Sequence, residues 1–161
     1  MRMSHGVEWA LHCCLDLVWL AEEDRPVPTA RLAEFHDLAP AYLNKHLQAL
    51  ARAGILGSTP GKRGGFRLAR RPDEISLLDV VTAVEGPDPA FRCLNIRNQG
   101  PGDAVMGGSG RRACVISHSM RRAELTWRRE LAGTTLADLA EEAQHHAADV
   151  ATRTRRWFAD A

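Results

Sequence analysis

Cys93 and Cys114 bracket a stretch of 20 residues that contains neither Cys nor His. Two thiolates are a soft ligand pair for zinc or an iron–sulfur cluster, and one or two nitrogen or oxygen donors must then come from elsewhere in the chain. The donors on offer are few. Glu8 and His12 stand four residues apart, a spacing that puts both on one helix face. His5 precedes Glu8 by three residues, His36 lies farther along, and His118 follows Cys114 by about one turn. The spacing is not that of a paired CxxC zinc site, so residue types alone leave both the metal and the completing ligands open. Cys13 and Cys14 read differently. A disulfide between neighbours is strained, and Cys14 falls on an apolar helical stripe, where a thiol behaves as a small hydrophobe. Neither belongs to a CxxC redox turn, so a thiol oxidoreductase is not expected, nor is any other enzyme.

Elements of ordinary kind must position these residues. The chain has 161 residues, enough for one domain or a small domain with an appended element. At 45% hydrophobic and 25% charged residues it can bury a core, which excludes a disordered chain. No apolar run is long enough to cross a membrane, and Glu8 and His12 interrupt what would be the apolar stretch of a signal peptide. The expected compartment is therefore the reducing cytoplasm.

Apolar periodicity predicts a first helix over residues 4–22, with Ser4 at its cap. A short second helix runs from Pro28-Thr29 to about His36, and a third from Pro40 to Arg52 with Gly54 beyond it. Ile55 to Ala69 reads as two short strands around a Gly-rich tip. Ser76 caps a fourth helix over Leu77–Val84. Residues 86–112, with six Gly and three Pro, read as a long loop. From about Ala113 a longer helix carries a single apolar stripe of Ile116, Met120, Ala123, Trp127 and Leu131. Gly133 breaks it, and Thr134 or Thr135 caps a final helix over about 136–150.

Two short helices followed by a Gly-tipped hairpin is the order of a winged helix–turn–helix. The overall charge of +1, from 21 basic and 20 acidic residues, does not advertise nucleic-acid binding. The local charge does: Gly57 to Arg71 contains Lys62, Arg63, Arg67, Arg70 and Arg71 and no acid. Tyr42, Asn44, Lys45 and Gln48 on the third helix have the reach to meet base edges and phosphates in a major groove. Lys62, Arg63 and Arg67, with Gly64 and Gly65 allowing close backbone approach, would hold the wing on DNA.

Several segments together resemble the Rrf-two-type winged-helix transcription regulators, a class of iron–sulfur and nitric-oxide sensors. They are Val7-Glu8-Trp9-Ala10-Leu11, Pro28 to Leu38, Ala41 to Leu50, and Ala53-Gly54-Ile55-Leu56. The most specific are Gly61-Lys62-Arg63-Gly64-Gly65-Phe66-Arg67-Leu68 and Glu74-Ile75-Ser76-Leu77-Leu78-Asp79-Val80. The resemblance covers about residues 1–132. It implies a mainly α fold with a small β-hairpin wing, a long dimerisation helix, a homodimer, and a double-stranded, palindromic DNA operator. It divides the chain into a DNA-binding domain over 1–86, a cluster-binding loop over 87–112, and a dimerisation helix with a C-terminal helix over 113–161.

The family's usual loop supplies three Cys, whereas here only Cys93 and Cys114 are present. That departure, with Val7 to Cys14 and Asp88-Pro89-Ala90-Phe91, resembles the RsrR-like subgroup of [2Fe-2S] redox sensors. The subgroup implies Cys93, Cys114, Glu8 and His36 as ligands, shared between two subunits, with His12 as the reserve nitrogen donor. The expectation is a redox-sensing regulator whose operator affinity is set by a [2Fe-2S] cluster. The alternatives are a cluster-free regulator responding to a metabolite or to thiol oxidation, and a zinc-stabilised interaction module.

Overall fold

The structure is a computed structural model that describes residues 3–23, 25–61, 63–94, 96 and 114–160. Seven helices and one hairpin occur among them: α1 (His5–Trp19), α2 (Thr29–Phe35), α3 (Pro40–Arg52), β1 (Leu56–Thr59), β2 (Gly65–Leu68), α4 (Leu77–Glu85), α5 (Val115–Gly133), α6 (Leu136–His146) and α7 (Val150–Ala159). None is long and apolar enough to cross a membrane.

The chain divides into two compact units. One holds residues 2–87 together with 131–161, and the other holds 88–130. The first is built around α1, whose apolar positions at Ala10, Cys13, Cys14 and Leu17, with Leu20 just beyond its end, meet Leu32, Ala33, Leu43, Leu47, Leu50, Ile75 and Val80 in one core. Burying each of the larger side chains contributes about 1.5–3 kcal/mol. Pro40 opens α3, where its missing N–H costs nothing. Gly54, at φ +70, ends the following turn in the left-handed region that suits glycine.

β1 and β2 pair antiparallel with Leu56 opposite Leu68 and Thr59 opposite Gly65. Val27 adds to the outer side of β2 by exchanging two backbone hydrogen bonds with Phe66, at 2.8 and 2.9 Å. This contact explains Gly65: a Cβ there would lie 2.2 Å from the Val27 carbonyl oxygen. Ser76 and Asp79 form a reciprocal capping box at the start of α4, and Thr135 and Asp138 form another at the start of α6. Ser4 stands at the cap position of α1, but its hydroxyl donates to Glu85 Oε1 at 2.5 Å instead of capping the helix. The first helix thereby gains a tie to the end of α4.

The expected C-terminal helix over 136–150 is two helices, with a break at 147–149 and a second helix to Ala159. Both pack into the first unit. Leu136 and Phe158 are core residues, and Leu77 N–H donates to the Thr134 carbonyl while Leu136 N–H donates to Ile75. In the second unit, Glu124 accepts from the Ala90 backbone N–H at 3.2 Å, and Arg128 reaches the Asp88 carbonyl. Glu124 and Arg128 also pair with each other at 3.0 Å. These bonds hold residues 88–90 against α5. No residue of α5 is buried, although it carries the expected apolar stripe.

Candidate functional site

The basic surface is built on α3 and the hairpin. Leu43, His46, Leu47 and Leu50 are the buried face of α3, which leaves Tyr42, Asn44 and Lys45 exposed and Gln48 half-buried. The Thr29 hydroxyl at the start of α2 donates to Asn44 Oδ1 at 3.4 Å. Tyr42 packs edge-on against Trp9 of α1, with ring centroids 5.3 Å apart. His46 lies beneath both rings, and its burial lowers its pKa from the ordinary value, aided by the charge of Lys45 and opposed by Glu85. Gly6 makes room for it, since a Cβ there would lie 2.3 Å from the His46 ring. The sequence reading missed this buried imidazole. The signal was there in its i+3 and i−3 spacing from Leu43 and Ala49 on α3.

At the wing, Arg63 and Arg67 are exposed, and Gly64 closes the turn by donating to Gly61 at 2.9 Å. Lys62 lies outside the described residues. The five-cation run is not uniformly available. Arg70 pairs with Asp79 at 3.3 Å and also donates to the Glu74 carbonyl, while Arg71 pairs with Asp73 at 2.6 Å. Acids downstream of the hairpin thus engage its last two cations.

The candidate ligands fall in both units. Glu8 and His12 lie on the exposed face of α1 and help line an apolar groove of about 520 Å³ with Met3, Val7, Leu11, Leu15 and Leu139. Glu8 is 3.9 Å from His5. His36 caps the end of α2, where Phe35 packs on Trp157 and Phe158 of α7. Arg31 stacks over Trp157 at 4.0 Å. The C-terminal helix therefore braces the segment that presents His36. Cys93 is exposed and Cys114, immediately before α5, is half-buried; both belong to the second unit. The intervening loop, from 97 to 113, lies outside the described residues.

Cys13 and Cys14 are fully buried, as expected of packing thiols. Burial pushes both thiols up, Cys14 to about 12, with Asp16 adding to the effect. A thiolate is thus strongly disfavoured on α1. A group absent from the sequence reading lies beside them: Cys13, Asp16 and His36 have ligand-type atoms within 4.8 Å of one another. Asp16 is 2% exposed. Its signal in the sequence was an acid set among Leu15, Leu17 and Val18, which demands a buried partner.

A helix pair with a polar outer face, followed by a basic wing, defines a winged-helix DNA-binding protein. Residues 3–142 match the Rrf2 family, described as an iron-dependent transcriptional regulator. The chain belongs to that family and is a DNA-binding transcription regulator, not an enzyme. The HTH-type transcriptional regulator YffB of Lactococcus lactis is 34% identical over 146 residues, 91% of either chain. The regulator IscR of Aliivibrio salmonicida is 33% identical over 93 residues, 58% of this chain and 55% of that protein. Among solved structures, CymR, the global cysteine regulator of B. subtilis, has a TM-score of 0.64 at 25% identity, covering 88% of this chain and 98% of that one. IscR of T. potens shares the fold, with a TM-score of 0.67 at 21% identity over 91% of each chain.

Proposed function

We propose that this regulator works as a homodimer on a palindromic operator, with a [2Fe-2S] cluster held by Cys93, Cys114, Glu8 and His36 controlling its affinity. The observation that carries the reading is the sorting of the four cysteines. The two on α1 are sealed in the core as thiols, while Cys93 is exposed and Cys114 half-buried. The remaining donors suit the same group, because Glu8 is an exposed carboxylate and His36 presents a partly exposed ring at a helix end. When bound, the cluster would supply one-electron exchange, and an imidazole in place of a thiolate raises its potential relative to an all-Cys site.

This chain's own residues do the rest. Glu8 and His36 tie a ligand set to α1 and α2, and α1 carries Trp9, which packs on Tyr42 of α3. A change in the ligand set thereby bears on the helix proposed to enter the major groove. Tyr42, Asn44, Lys45 and Gln48 contact base edges there, and Lys62, Arg63 and Arg67 hold phosphate, with Gly64 and Gly65 keeping the wing narrow. Dimerisation is supported by α5, whose stripe residues Ile116 and Met120 are 64% and 41% exposed. A second copy would cover that stripe.

The similarity to CymR structures favours a second reading, a cluster-free regulator that senses through Cys93 and Cys114 as thiols. Anaerobic reconstitution followed by a visible spectrum and iron and sulfide assays separates the two. A coloured protein with matched iron and sulfide supports the cluster, and a colourless one supports the thiol reading.

A further inference from the structure

Asp16 occupies a position that apolar residues normally hold. It lies on the buried face of α1 between Cys13 and Leu17, with its side chain 3% exposed. A carboxylate so placed requires a donor, because an unpaired buried charge costs several kcal/mol. Its Oδ2 lies 2.6 Å from Nε2 of His36, whose side chain is 21% exposed. The two are 20 residues apart in sequence, so the bond joins the middle of α1 to the end of α2. The ring is further bounded by Phe35 and His12, with centroids at 5.0 and 5.6 Å.

An imidazole whose one nitrogen donates to a carboxylate keeps its lone pair on the other nitrogen. Histidines that bind metals commonly have such a partner, which fixes the ring and its tautomer. We infer that Asp16 is a positioning residue for the nitrogen ligand: it accepts from His36 Nε2–H and leaves Nδ1 as the donor atom. The inference rests on the cluster reading above. It also favours His36, bonded to Asp16 at 2.6 Å, over His12, which shares the groove with Glu8 and interacts with Asp16 through charge.

Two measurements test it on the full chain. In the metal-free, 15N-labelled protein at neutral pH, long-range proton–nitrogen correlations report the His36 tautomer, with His36→Gln giving the assignment. Nε2 protonated and Nδ1 unprotonated is expected; the opposite tautomer overturns the inference. In the reconstituted protein, Asp16→Leu removes the acceptor and Asp16→Asn keeps one without charge. Iron release to a chelator should quicken by about 10- to 100-fold in the first and by less in the second. The histidine-nitrogen coupling in the pulsed EPR spectrum of the reduced protein should shift in both.

Release and coupling unchanged in Asp16→Leu, while His36→Ala alters the spectrum, would overturn the inference and leave the cluster reading standing. Wild-type protein that takes up neither iron nor sulfide would overturn both. Metal retained by a Cys93→Ser/Cys114→Ser chain and lost with Asp16→Leu would make Asp16 a ligand and so overturn its positioning role. The metal-free measurement uses wild-type protein and decides the tautomer even where an Asp16 variant fails to fold.

Discussion

Helices α1 and α5 are both amphipathic and both lie next to cysteines, yet they have opposite fates. More than half of the 15 residues of α1 are buried, and its two thiols are sealed at 0% exposure. None of the 19 residues of α5 is buried, and the cysteine before it stays partly open. An apolar stripe and a thiol thus mean opposite things depending on what covers them. Where the chain covers its own stripe, cysteine is packing material. Where the stripe is left open, a second copy is the proposed cover and the neighbouring cysteine a proposed ligand.

The two cysteine pairs should respond to substitution in opposite ways. Cys93→Ser or Cys114→Ser should abolish bound iron and sulfide while leaving the thermal midpoint of the metal-free protein close to wild type. Cys14→Ala should do the reverse, keeping the metal and losing roughly 1–3 kcal/mol of stability, read by denaturant unfolding. If Cys14→Ala also lost the metal with its fold intact, the division between packing and ligating thiols would collapse.

The second test falls on the α5 stripe. Ile116→Glu with Met120→Glu should give monomers in light scattering and weaken operator binding by roughly 100-fold, the loss expected when two linked contacts become separate ones. Unchanged mass would show that the stripe is covered in some other way.

A smaller effect is expected at the wing. Arg67→Ala should lower the slope of log affinity against log salt by about 1 and weaken binding to all sequences alike.

The smallest effect concerns His46. Its pKa is lowered in the folded protein, so the unfolded chain takes up the proton first as pH falls. Stability should be fully present above about pH 6.5, the ordinary histidine value, and decline below it by no more than about 1.4 kcal/mol per pH unit. The slope should disappear in His46→Phe.

Much of the fold was legible because its signals are local. Pro40 to Arg52 is a helix with both ends marked by its own residues, and the boxes at Ser76 and Thr135 are set by side chains three positions on. The hairpin was legible from its glycines. The missed features are long-range. The break after His146 lacks any Gly or Pro, and α7 exists because Trp157 and Phe158 find Phe35, more than a hundred residues earlier. Arg70 and Arg71 read as free cations because their acids lie beyond the hairpin. Cys93 and Cys114 stood out by type and position, whereas Glu8 and His36 came from resemblance, since types and spacing left the completing ligands open. The bond from Asp16 to His36 needed the packing of α1 against the end of α2.

A cluster on Cys93 and Cys114 is proposed to govern DNA affinity. The most direct measurement is operator binding by one reconstituted sample, quantified for iron and sulfide, before and after one-electron reduction and again after reoxidation. About two irons and two sulfides per chain are expected, with a reversible change in affinity that vanishes in Cys93→Ser. Equal affinity in both redox states, or the same change in a protein without iron, would contradict it.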